Sequence, residues 1–136
     1  MNISDIKRDY FMLKGPLAKK GYDWWWHSLT AENKETGEQK PFFIEYFTCN
    51  PALAQDEPVI VWNDPDARAA GKRPSYLMVK VGFWGRDLKG QLHRFFPWKD
   101  VDIVKDGPID IKAGDCGCTE KRIHGSVHIT PEEEAA

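Results

Sequence analysis

From residue 22 onward the bulky apolar residues fall in short runs separated by polar turns that carry glycine or proline, the spacing of strands rather than helices. The first run, Asp23-Trp24-Trp25-Trp26-His27-Ser28-Leu29-Thr30, leads through a polar turn over 31–40 into Pro41-Phe42-Phe43-Ile44-Glu45-Tyr46-Phe47-Thr48-Cys49, and the pair predicts a hairpin. Both faces of each strand carry rings. That pattern requires cover on either side, from a second sheet, a closed barrel or a partner chain. A second hairpin is predicted from residues 75–84 and 91–98, with glycines at both ends of the loop between them. A weaker strand follows at Ile109-Asp110-Ile111. The last run alternates Ile123, Gly125, Val127 and Ile129 with Arg122, His124, Ser126 and His128, giving one apolar and one polar face. Pro131 ends it, and 132–136 form a charged end.

Two segments interrupt this pattern. Residues 6–13 predict a short helix in the N-terminal lead-in, broken by Lys14-Gly15-Pro16. Residues 50–74 form a long connection rich in Pro, Asp, Ala and Gly, with Val59-Ile60-Val61-Trp62 as a short strand inside it; a connection of this length suggests a lid. Six or seven strands joined largely by hairpins predict an all-β, antiparallel meander in one domain over 1–136, curling into a barrel or half-barrel.

Composition narrows the function. With 41% apolar and 29% charged residues, the 136-residue chain has the balance of a folded domain. A net charge of -2 offers no basic field to a phosphate backbone, so nucleic acid is not an expected partner. No window reaches the roughly 20 apolar residues of a membrane span and no signal peptide is visible, so a cytoplasmic location is expected. Three cysteines, Cys49, Cys116 and Cys118, fit a reducing compartment. The six tryptophans, seven phenylalanines and four tyrosines either fill a core of large side chains or line a pocket for an apolar ligand.

Cys116-x-Cys118 with His124 and His128 has zinc-ligand residue types. In a strand, however, the two histidines stand about 13 Å apart, too far to share one ion at bond lengths of about 2.0–2.1 Å. No metal or other cofactor is expected. Charged residues within apolar strands are the stronger candidates. On the period-two rule Glu45 shares a face with Phe43 and Phe47, Lys80 with Met78 and Gly82, and Arg94 with Leu92 and Phe96. These faces either meet solvent near an edge or point inward, where the charges must pair or contact a ligand. An inward Glu45 would be a proton donor, with His27 and His93 as helpers. Trp24, Trp26, Phe43, Tyr46, Tyr76, Lys80, Trp84 and Arg94 would line the ligand site. No Ser/His/Asp order, phosphate-binding glycine loop, Cys-x-x-Cys or dinucleotide fingerprint is present.

Gly21-Tyr22-Asp23-Trp24-Trp25-Trp26 with Pro41-Phe42-Phe43-Ile44-Glu45-Tyr46 resembles the opening of the tocopherol cyclase-like proteins, relatives of carotenoid hydratases. Tyr76-Leu77-Met78-Val79-Lys80-Val81 leading to His93-Arg94-Phe95-Phe96-Pro97-Trp98 is similar to that group's next hairpin, and residues 119–129 to the strand that closes its first unit. Asp23-Trp24 stands where the family opens with Gly-Trp. The resemblance implies a lipocalin-like β unit, the N-terminal half of a longer two-unit protein, and chemistry on isoprenoid double bonds.

Three readings follow. The chain is a β domain that binds an apolar, isoprenoid-like molecule, or packs against a second β unit or another copy of itself. Alternatively it is an enzyme, or half of one, for acid-catalysed cyclisation or hydration. A third reading is a carbohydrate-binding module using Trp62, Trp84 and Trp98 as stacking platforms.

Overall fold

The computed structural model describes residues 10–53, 56–83 and 91–126. The β-branched and aromatic runs form the strands that their composition predicts. β1 (Tyr22–Glu32), β2 (Gln39–Cys49), β3 (Tyr76–Phe83) and β4 (Gln91–Phe96) make one antiparallel sheet in chain order. β5 (Val101–Ile103), β6 (Asp110–Ala113), β7 (Cys116–Thr119) and β8 (Ile123–His124) make a second. Among the described residues neither sheet closes on itself, and the two are not joined by strand pairing. The meander is thus two facing four-stranded sheets.

The core lies between them. Trp25, Tyr46, Leu77, Val79 and Phe96 of the first sheet pack with Ile111, Ala113, Cys116 and Cys118 of the second and with Ile109 just before β6. Each large apolar side chain buried in this way contributes about 1.5–3 kcal/mol. Tyr46, fully buried, also ties the sheets together through its hydroxyl, which donates to Gly117 O at 2.9 Å and lies 3.3 Å from His124 O.

Several predicted elements change. Residues 10–13 are not helical, and 6–9 lie outside the described residues. Phe11 and Leu13 are buried while Met12 between them is exposed, and this alternation suits an extended segment, with Phe11 stacked on Trp25. The predicted strand at 59–62 reduces to one bridge, Val59 to Ser75, because the chain turns at 61–63 into the short helix α1 (Pro65–Ala69), capped by Asp64. β4 ends at Phe96, since Pro97 has no amide to donate. Cys116 and Cys118 lie in β7, where the sequence pattern predicts no strand. The turn at 85–90, Trp84 and residues 127–129 of the last predicted strand lie outside the described residues. No helix among the described residues is long and apolar enough to cross a membrane.

Candidate functional site

Register decides which candidate residues meet. Across the first sheet Trp26 faces Glu45, Glu45 faces Lys80 and Lys80 faces His93, one residue from each strand. This row lies on the outer face, away from the second sheet. The next row on the same face is Trp24, Phe47, Met78 and Phe95, and beyond it stand Tyr22, Cys49 and Tyr76. On the other side of the charged row the Phe43 ring stacks on that of Trp26, 4.2 Å away. Phe43 lies across Gly82, where a Cβ would stand 2.2 Å from the ring. Glycine there is what lets the ring lie flat.

Glu45 is only 7% exposed, so neither a wet edge nor the core between the sheets describes its setting. Lys80 Nζ lies 2.9 Å from its Oε2, but off the direction of a hydrogen bond: among the described residues that oxygen has no aligned donor. The same ammonium stands 5.6 Å from the Phe43 ring centre and 5.9 Å from that of Trp26. Charge and ring quadrupoles together hold it over the carboxylate. Exposed His93 stacks beside Phe95, and partial burial and the Lys80 charge lower its pKa.

The outer face is covered over only part of its area. Ile60 and Trp62 from the 50–74 connection pack with Tyr76 and Phe95, which meet edge-on at 5.1 Å. Trp24 and Trp26, at 50% and 44% exposed, remain half in solvent, so the cover expected on both sides of β1 is incomplete.

The other candidates face the second sheet. His27, Ile44, Val81 and Leu92 form one inner row; Trp25, Tyr46, Val79 and Arg94 form the next. His27 and Arg94 therefore lie on the opposite face from Glu45 and do not join it. His27 Nε2 is 3.5 Å from Cys118 Sγ. Arg94 pairs with Asp115, which also accepts from the Ser126 hydroxyl, and its Nη1 reaches Ser126 O at 3.2 Å. These bonds depress the Asp115 pKa, Ser126 contributing most and Arg94 next. Burial pushes the Tyr46 and Tyr76 hydroxyls up.

Between the sheets is an apolar cavity of about 420 Å³, walled chiefly by Ile44, Val79, Val81, Leu92 and Ile123, with Tyr46 at its side. Of the expected ligand-lining residues only Tyr46 borders it; Trp24, Trp26, Phe43, Tyr76 and Lys80 share the outer face, and Trp84 lies outside the described residues. Sequence reasoning missed its aliphatic walls, because Val79, Val81 and Leu92 carry no chemical signal of their own.

The zinc pattern is separated in space. Cys116 and Cys118 point into the core, whereas the His124 ring stands over Gly117 on the opposite face of β7, and His128 lies outside the described residues. Among the described residues no three histidine, cysteine or acidic side chains gather as metal ligands. Trp62 and Trp98 do not share a platform either: Trp62 packs on the outer face, and Trp98 packs against the inter-sheet core with its Nε1 donating to Cys49 O. Comparison with family models, with curated proteins and with solved structures finds no match to this chain.

Proposed function

We propose that this protein is a lipocalin-like β domain that holds an apolar, isoprenoid-like molecule between its two sheets. The inter-sheet cavity of about 420 Å³ carries the reading. Its volume falls within the roughly 300–1,000 Å³ of small-molecule pockets, and apolar walls with few polar groups are the usual lining of such pockets. Water gains little there, because Tyr46 already spends its hydroxyl on Gly117 and His124. The likeness of the aromatic strands to tocopherol cyclase-like proteins supports the same chemical class. Leu92→Trp puts an indole into the space. Calorimetric titration with terpenoid alcohols and hydrocarbons should give saturable binding to the wild type and a loss of at least about tenfold in the variant, with melting temperature little changed. A wild type that takes up none of them overturns the reading.

The row Glu45, Lys80 and His93, set among rings, favours a second reading, acid catalysis on an isoprenoid double bond. Aromatic faces would stabilise the cation formed on protonation, but the Glu45–Lys80 pair must open and the carboxylate must take up a proton from water before it can deliver one. Glu45→Gln should then abolish turnover of an isoprenoid alkene while leaving uptake into the inter-sheet cavity unchanged. Turnover that survives the substitution ends this reading.

A further inference from the structure

The inner row His27, Ile44, Val81 and Leu92 spans all four strands of the first sheet. The cavity described above covers its Ile44, Val81 and Leu92 end. Over the His27 end lies a second hollow of about 480 Å³, lined by Trp25, His27, Ile109 and the turn residues 119–122. Ile123 lines both hollows. Ile123, on a strand of two residues, thus stands where the two hollows meet.

The hollows differ in polarity. In the first, the side-chain hydroxyls are committed, Tyr46 to the Gly117 and His124 carbonyls and Ser126 to Asp115. Neither has a proton left to donate to the carboxylate end of a ligand. The second has an apolar floor of Trp25, Ile109 and Ile123 under a rim carrying Lys121 and Arg122, with Glu120 beside them. Both cations are exposed, and among the described residues neither has an ion-pair partner. Their backbone amides are fixed by Thr119 Oγ1, at 3.3 and 3.2 Å, so the turn is ordered while its charged heads pair with no acid among the described residues.

We propose that the two hollows form one site for an amphipathic acid: its apolar chain lies between the sheets, its carboxylate sits beside Lys121 and Arg122, and Ile123 is the movable wall between. The proposal rests on the apolar-ligand reading and adds the head group. A carboxylate meeting these cations gains charge-assisted hydrogen bonds that an alcohol of the same chain length does not.

Dodecanoate and dodecanol, titrated calorimetrically into the wild-type protein, the double variant Lys121→Gln/Arg122→Gln and Lys112→Gln, separate the possibilities. Dodecanoate should bind at least about tenfold tighter than dodecanol, the size of one hydrogen bond to a charged group. The double variant should bring the acid down to the level of the alcohol and leave the alcohol unchanged. Lys112, an exposed lysine of β6 away from both hollows, should not matter. Equal binding of acid and alcohol overturns the head-group assignment and leaves the apolar cavity standing, and a loss of acid binding with Lys112→Gln as large as with the double variant overturns it as well. Failure of both ligands to bind overturns the cavity reading with it.

Discussion

Lys80 meets three groups at once, the carboxylate of Glu45 and the rings of Phe43 and Trp26, and its charge is felt by His93 on the next strand. Burial first and Lys80 second lower the His93 pKa from its ordinary 6.5. The unfolded chain thus takes up this proton before the folded one does as pH falls. The contribution to stability is complete above about pH 6.5 and is lost as pH drops from there through the folded-state value. His93→Gln should flatten that part of the profile. Urea midpoints at pH 7.5 and pH 5.5 measure it: the wild type should lose more between the two than the variant does. An unchanged difference would assign the slope to other groups.

Elements are joined at Asn50, where the first hairpin, the long connection and β3 converge. Its backbone adopts φ 45°, a left-handed conformation that asparagine tolerates better than most residues. Its Oδ1 accepts from Gly21 N at 2.9 Å and its Nδ2 donates to Pro74 O at 2.7 Å, while Ser75 Oγ donates to its carbonyl. Asn50→Ala removes both side-chain bonds, leaves the Gly21 amide and the Pro74 carbonyl without these partners and keeps the strained φ. We expect a loss of about 2–4 kcal/mol. Asn50→Gly relieves the strain alone and should fall between the two in a chemical unfolding series. Equal stability of all three would show that the junction is held elsewhere.

At the scale of the whole molecule the two sheets divide the candidate chemistry. Outward positions of the first sheet carry the ion pair and most of the exposed rings; inward positions carry the aliphatic cavity and the His27–Cys118 and Arg94–Asp115 contacts with the second sheet. The period-two rule correctly placed Glu45 with Phe43 and Phe47, Lys80 with Met78, and Arg94 with Phe96. It left open which face was inward, because rings stand on both faces of β1 and β2. The second sheet was poorly legible: Val101–Ile103 and Cys116–Thr119 are too short for periodicity to register, and two cysteines two residues apart suggest metal or turn before they suggest a packed strand.

Local composition alone determined that the chain forms antiparallel strands, where most of those in the first sheet run, and which residues share a face. These follow from backbone sterics and from the fixed alternation of side chains along a strand. Tertiary structure decided that the strands form two facing sheets, that Glu45 and Lys80 meet, that His27 and Arg94 lie on the far side from them, and that a cavity opens beside Tyr46. Each of these depends on register between strands distant in sequence and on packing between sheets, and pair distances of that kind are written in no single segment.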